Sequence, residues 1–299
     1  MRMLSFRHPP GAAARFCAYA SIISGILIGC GKSETAQPQP PEPEYRELPA
    51  LRPFPRDAGG QGAPVRNTKP GTRNHPVSGC PAEMAQVEGF CIDRYEIHLE
   101  DKTTGAIHHY FNRPPISMAN LAAVSGAGVF PQGYMSQEMA AKACANAGKR
   151  LCTLDEWRRA CRGRDGNAFP YGASAQEGAC NVNKRSPHIL DKHFPDVPHL
   201  KRTGGHFNDP ALLQDPDYLA KTGGFATCMT PEGVYDLDGN LSEWVSDTVM
   251  KGAAAHGTFA GDAFSGFGMQ GCARSTDAHS SGYHDYSMGT RCCKDAPGR

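Results

Sequence analysis

The stretch Gly233–Asp247, GVYDLDGNLSEWVSD, places four oxygen-bearing side chains close together: Asp236, Asp238, Asn240 and Glu243. We call it the acidic stretch. Such side chains around a glycine suit a hard cation such as calcium, which takes about six to eight oxygen ligands. Asp-Gly-Asn is also a strong turn signal, so a tight turn before a short helix or strand is the alternative interpretation. The EF-hand loop pattern is missing from the stretch.

A second stretch, Gly148–Gly163, reads GKRLCTLDEWRRACRG and predicts the start of a helix. Thr153 and Glu156 have the spacing of a capping box, in which each side chain accepts a hydrogen bond from the backbone N–H of the other residue. Trp157 follows directly, and apolar residues recur after it at helical spacing. The sequence therefore predicts a helix with one apolar face.

Other local signals predict one more helix and two strands. Ser136–Ala147 has the pattern of a helix, with Ser136 as its N-cap and Gly148 just after its last residue. Met84–Val87 has the character of a strand, and Phe90–Ile97 alternates between apolar and polar residues as a strand does.

The acidic stretch and Gly148–Gly163 together resemble the formylglycine-generating enzyme, or sulfatase-modifying factor, family. The family pattern is close to GKRLPTEAEWEYAxRG, then GxYDMxGNVWEW, then a terminal GFRC. This chain has GKRL, TxxEW, RG, GVYDLDGN with EW, and Gly289–Cys292, in the same order. The resemblance covers about residues 80–293. It implies an α+β, coil-rich, C-type-lectin-like single domain held together by disulfides.

The N-terminus has the proportions of an export signal. A basic segment precedes the apolar run 16–28, which is too short to span a membrane, and Gly29 and Cys30 follow it. This junction resembles a bacterial lipobox, which implies cleavage after residue 29 and acylation of Cys30. An ordinary signal peptide and an uncleaved anchor are the alternatives. We expect a signal peptide over 1–29 and a lipid-anchored protein of the cell envelope facing the periplasm or the exterior.

Two segments lack a regular apolar pattern. Residues 30–79 are rich in proline and glycine and are predicted to be a disordered tether, so the folded domain is expected over 80–299. Residues 184–227 carry four histidines that do not share the spacing of a helical metal site, and we interpret them as a variable surface loop.

Composition limits the compartment and the partners. The chain has 299 residues, with 31 Lys and Arg against 30 Asp and Glu. This balance argues against a nucleic-acid-binding surface. Twelve cysteines indicate an oxidising compartment. Ten remain once Cys17 and Cys30 are set aside, an even number that permits a closed set of disulfides.

The resemblance implies two disulfides, Cys144–Cys292 and Cys161–Cys272. Proximity in the sequence suggests a third pair, Cys80–Cys91. The other four cysteines stay open to different pairings. Cys180 and Cys228 flank the segment 184–227 and could close it, and Cys152 would then pair with Cys293.

The resemblance also implies two calcium ions. One ion would take backbone carbonyls from Asp238, Gly239 and Leu241 and the side chain of Glu243. The other ion would take oxygens from two residues just before the variable segment 184–227. These residues are Asn181 and Val182.

The family's active centre should lie within 248–288. Active members have two nearby cysteines there that bind copper, but the segment 251–271 of this chain contains no cysteine. The copper site of active members uses a pair of soft thiolates, which this segment does not supply, so copper is not expected. We therefore expect a membrane-tethered, non-catalytic module that binds a protein or a glycan. The alternatives are a formylglycine-generating oxidase that acts on a sulfatase cysteine, and another oxidative enzyme of the superfamily that uses non-haem iron.

Overall fold

Short strands and short helices, joined by long irregular segments, make up the protein between residues 79 and 297, the part that the computed structural model describes. The predicted signal peptide, Cys30 and the tether up to residue 78 lie outside the described residues. The strands are β1 Met84–Val87, β2 Phe90–Asp93, β3 Ile97–Asp101, β4 Leu121–Ser125, β5 Arg150–Leu151, β6 Ser242–Lys251, β7 Ala254–Ala260, β8 Ser275–Thr276, β9 Met288–Thr290 and β10 Cys292–Asp295. The α-helices are α1 Gln137–Asn146, α2 Leu154–Arg162, α3 Ile189–His193, α4 Gly204–Phe207 and α5 Ala211–Gln214, and 3-10 helices span His199–Lys201 and Gly271–Ala273.

The strands form three small sheets. Two have four strands each, in the orders β1-β2-β10-β5 and β8-β7-β6-β9, and the third is the hairpin β3-β4. β6, which continues the acidic stretch, pairs antiparallel with β7 and parallel with β9. Because β9 and β10 are consecutive, the C-terminal segment joins both four-stranded sheets.

Both predicted helices are confirmed, with the predicted caps. The side chain of Ser136 accepts a hydrogen bond from the backbone N–H of Met139 at the start of α1. At α2, the side chain of Thr153 accepts from the backbone N–H of Glu156, and the Glu156 carboxylate accepts from the N–H of Thr153. This reciprocal pair satisfies two N–H groups that have no partner inside the helix.

The acidic stretch contributes side chains to three separate hydrophobic clusters. Leu237 and Val245 pack in the cluster around Trp157 of α2. Trp244 lies in a second cluster against α1, and Leu241 lies in a third. Full burial of a large apolar side chain is worth roughly 1.5–3 kcal/mol. The alternation of apolar and polar residues in this stretch therefore joins the three parts of the core.

The prediction of a single strand over Phe90–Ile97 is wrong. The structure breaks it into β2 and β3, which belong to different sheets. The break lies at Arg94–Glu96, where Glu96 turns its carboxylate into the core and accepts a hydrogen bond from the N–H of Leu241. Alternation along the sequence does not reveal a partner so distant in the chain.

The segment 184–227 is irregular, as predicted, but it is more than a surface loop. It contains three short α-helices and one 3-10 helix, and its apolar side chains form a hydrophobic cluster with Tyr134 and Phe264. The Nε2–H of His193 donates to the carboxylate of Asp215 at 2.9 Å, so this histidine serves the packing of the segment.

All ten cysteines between residues 79 and 297 form disulfides. The pairs are Cys80–Cys91, Cys144–Cys292, Cys152–Cys293, Cys161–Cys272 and Cys180–Cys228. They are the same five pairs that the sequence analysis names. Five disulfides indicate an extracellular or periplasmic protein. Within the described range, no helix is long and apolar enough to cross a membrane.

Candidate functional site

The acidic stretch begins with a turn that is held against residue 181. Asp236, Gly239 and Asn240 all have positive φ angles, of 59°, 93° and 62°. A Cβ atom on Gly239 would lie 2.4 Å from the carbonyl oxygen of Asn181, so only glycine fits there. The N–H of Asn240 donates to that carbonyl at 2.9 Å. A turn is therefore present, and the two segments predicted to bind calcium meet at it.

A buried guanidinium lies beneath the turn. Arg291 donates to both carboxylate oxygens of Glu243, from Nε and Nη2, at 2.7 Å each. The indole Nε1 of Trp157 donates to the same carboxylate at 2.8 Å. Glu243 was predicted as a calcium ligand through this side chain. The structure instead gives both of its oxygens to protein donors, in the paired geometry that binds a carboxylate most strongly.

Two more carboxylates surround this pair. Glu96 is fully buried and accepts hydrogen bonds from Asn240 and Leu241, and Asp236 accepts one from the N–H of Gly223. Burial, together with the neighbouring negative charges, raises the pKa of Glu96 well above its usual range. Burial raises the pKa of Asp236 to about 6.

We call Glu96, Asp236, Glu243 and Arg291 the charge cluster. It holds three carboxyl groups against one guanidinium. Isolated charge is costly away from water, so the cluster favours a bound proton or a bound cation in addition to its arginine.

The carboxylate of Asp238 has a different environment. The residue is 1% exposed, and neither of its oxygens has a hydrogen-bond partner among the described residues. Burial, and then the charge of Asp262, raise the pKa of Asp238 to about 7. The Oδ1 atom of Asn181 is likewise buried without a partner in this part of the chain. Unpaired buried oxygens of this kind are what a hard cation would satisfy.

The predicted residues therefore differ in how well they suit calcium. The sequence predicts the carbonyl of Asp238 as a ligand, and its carboxylate offers two further oxygens that have no hydrogen-bond partner in the described part of the chain. The side chain of Val182 packs towards Gly239, and the N–H of Leu241 donates to Glu96. The backbone oxygens of these two residues stay predicted ligands. Within residues 79–297, no group of three or more His, Cys, Asp or Glu side chains is arranged to hold a metal. Any calcium here would depend on amide and carbonyl oxygens as well.

The loop 266–270 lies close to the turn and carries two exposed apolar side chains. Phe267 is 62% exposed and Met269 is 76% exposed. We call this pair the apolar ridge. Two cavities border it, of about 550 and 570 Å³. The first is lined by Tyr171, Asn181 and Phe225, among others.

This loop falls inside residues 248–288, the segment predicted to hold the family's active centre. The nearest cysteine after it, Cys272, is bonded to Cys161, so no thiol lies at the loop. Sequence reasoning missed the ridge because two apolar residues between glycines are unremarkable in a chain with 34 glycines. It also missed Glu96 and Asp262, which carry no motif of their own.

Comparison with known proteins identifies the family. The family model described as sulfatase-modifying factor enzyme 1-like domain matches residues 58–296. The chain belongs to this family. The prediction of a coil-rich α+β member of the family, stapled by disulfides, is confirmed.

Several solved structures are similar at low identity. PvdO from Pseudomonas aeruginosa is 15% identical, with 69% of this chain and 80% of that chain covered and a TM-score of 0.43. CarF is 16% identical, with 69% and 86% covered and a TM-score of 0.41. Treponema denticola variable protein 1 is 13% identical, with 74% and 94% covered and a TM-score of 0.42. A search of curated proteins finds no match to this chain.

Proposed function

We propose that this sulfatase-modifying-factor-like protein is a non-catalytic binding module, held at the envelope membrane by a lipid on Cys30. The observation that carries the proposal is the pairing of all ten cysteines between residues 79 and 297. Copper-dependent oxidation of a substrate cysteine needs a thiolate pair, and a disulfide sulfur offers neither the charge nor the free valence. The apolar ridge, bordered by two cavities, supplies a surface for a ligand instead.

A copper titration tests the non-catalytic part. We expect the oxidised full-length protein to bind no Cu(I), and to leave a sulfatase-derived cysteine peptide unchanged in the presence of copper and oxygen. Mass mapping without reduction should find the described cysteines paired. Conversion of the peptide to formylglycine, or two free thiols that bind Cu(I), would establish the oxidase instead.

Fatty-acid labelling tests the anchor. Wild-type protein should incorporate a labelled fatty acid and fractionate with membranes, whereas Cys30→Ser should do neither, because the acyl chain is what holds the protein at the surface. Cys17→Ser is the matched control and should label normally. If Cys30→Ser incorporated as much fatty acid as wild type, the proposal of a lipid anchor at Cys30 would be wrong.

In addition to a ligand at the apolar ridge, we propose that calcium binds at Asp238 and Asn181. The support is the three buried oxygens of these side chains that have no partner among the described residues. A cation there would offset the cost of burying the Asp238 carboxylate and would stabilise the native state by mass action. Its role would be structural, since it would hold the residue 181 segment against the turn.

A further inference from the structure

The apolar ridge exposes side chains that a soluble surface normally hides. Phe267 and Met269 both project from a loop of five residues, 266–270. Single exposed apolar residues are common, but a neighbouring aromatic and thioether pair between two cavities resembles the centre of a protein–protein interface, where Phe, Met and Arg are enriched.

The loop is held in position from beneath. The buried carboxylate of Asp262 accepts the N–H of Gly268 at 2.8 Å and the Nε–H of Arg274 at 3.2 Å. A Cβ atom on Gly266 would lie 2.6 Å from the carboxyl carbon of Asp262, so the chain can pass there only as glycine. The carbonyl of Gly266 also accepts the N–H of Asn183 at 2.8 Å. The ridge is therefore preorganised, which lowers the entropic cost of binding.

The two sides of the ridge differ in charge. On one side the lining includes one cation, Lys184, and one carboxylate, Glu177, and is otherwise rich in aromatic and amide groups. On the other side Arg185 and Arg274 line the cavity against a single carboxylate, that of Asp262, which Arg274 already engages. One side is thus balanced in charge and the other carries a surplus positive charge.

Arg185 is placed to use that charge. Its guanidinium carbon lies 3.9 Å from the ring centroid of Phe267, and its Nη1 donates to the carbonyl of Ser265 at 3.2 Å. The remaining guanidinium N–H groups have no hydrogen bond within the described residues, and the residue is exposed. A guanidinium stacked on an aromatic ring keeps its edge free for a carboxylate.

From this arrangement we infer that the ridge binds an acidic protein segment that places an apolar side chain beside an Asp or Glu carboxylate. The apolar side chain would pack against Phe267 and Met269, and the carboxylate would pair with Arg185. A protein segment fits this arrangement better than a glycan because it can supply an apolar side chain and a carboxylate at adjacent positions. The inference rests on the proposed function, since it names the ligand of the proposed binding module.

Three matched sets of short labelled peptides test the inference on the full-length protein. Each peptide has one Phe or Leu, with Asp or Glu two residues away in the first set, Asn or Gln in the second, and Lys in the third. We expect the acidic set to bind best. Phe267→Ser and Met269→Ser should weaken its Kd about tenfold or more. Leu200→Ser is the matched control, since Leu200 is 95% exposed elsewhere, and should not change binding.

Arg185→Ala should remove the preference for the acidic set over the amide set while keeping part of the affinity for the apolar side chain. Equal binding of the acidic and amide sets by wild type, binding that Phe267→Ser leaves intact, no binding to any set, or binding only to a glycan array would each overturn the inference. The copper titration does not depend on any of these peptide results. A failure of this inference can therefore be distinguished from a failure of the proposed non-catalytic function.

Discussion

The charge cluster and the apolar ridge both depart from the usual distribution of residues in a folded protein. The cluster buries charged side chains, whereas the ridge exposes apolar ones. The charge cluster places Glu243 and Arg291 in the interior, 1% exposed each. The ridge leaves Phe267 and Met269 in solvent. Protein donors satisfy the buried ions, which makes the cluster a structural centre on which β6 and the C-terminal segment depend. Among the described residues the Arg185 guanidinium lies over the Phe267 ring, and most of the ridge stays open to a ligand.

The largest effect should come from breaking the charge cluster. Arg291→Met would leave Glu243 buried without its counter-charge, and we expect the free energy of unfolding to fall by about 3–5 kcal/mol. Urea denaturation of the disulfide-intact protein measures this fall in the free energy of unfolding. The double variant with Glu243→Gln should recover part of the loss, and the exposed Arg162→Met should change stability by less than about 0.5 kcal/mol. A loss below about 1 kcal/mol for Arg291→Met would mean that the cluster is not a structural centre.

A smaller effect should follow removal of the disulfide beside the turn. Cys180→Ala with Cys228→Ala should lower the free energy of unfolding by about 2–4 kcal/mol, since the bridge restrains the unfolded chain. Because Cys180 precedes Asn181, the same variant should also weaken any response of the melting temperature to calcium. Full calcium response in the double variant would show that the bridge does not position Asn181.

Removal of calcium should lower the free energy of unfolding by as much as the loss of the Cys180–Cys228 disulfide, or by less. At a concentration about one hundred times its Kd, a ligand adds roughly 2.7 kcal/mol to stability. We expect EGTA to lower the melting temperature of wild type but not that of Asp238→Asn, whose side chain lacks the buried charge. The exposed Asp165→Asn should respond as wild type does.

The variant Glu243→Gln distinguishes two sets of calcium ligands. The set predicted from the sequence includes the Glu243 side chain, whereas the set proposed from the structure uses Asp238 and Asn181. If Glu243 serves Arg291, as its hydrogen bonds indicate, this variant loses stability but keeps its response to EGTA. Loss of the calcium response in Glu243→Gln, with retention in Asp238→Asn, would instead restore the ligand set predicted from the sequence.

The smallest effect on stability should come from the ridge. Phe267→Ser and Met269→Ser should change the free energy of unfolding by less than about 0.5 kcal/mol, because neither side chain is buried. Urea denaturation beside Met250→Ser, a matched exposed methionine, checks this expectation. A large destabilisation would show that the ridge supports the fold, and the comparison with the charge cluster would then fail.

What the sequence determined by itself is mostly local. Ser136, Thr153 and Glu156 mark helix starts because their side chains bond to backbone groups only a few residues away. Asp238-Gly239-Asn240 marks a turn for the same reason. The family motif adds the order of the elements and two disulfides, and the even cysteine count makes a closed set possible.

Only the tertiary structure decided which groups meet across the chain. Glu96 reaches Leu241 across a separation of 145 residues, and Arg291 reaches Glu243 across 48. The periodicity of a sequence does not show which distant residues pair. The prediction of one strand over Phe90–Ile97 was therefore wrong at Glu96. The role of Asp238 was likewise hidden, because whether a carboxylate is buried without a partner depends on every segment that packs around it.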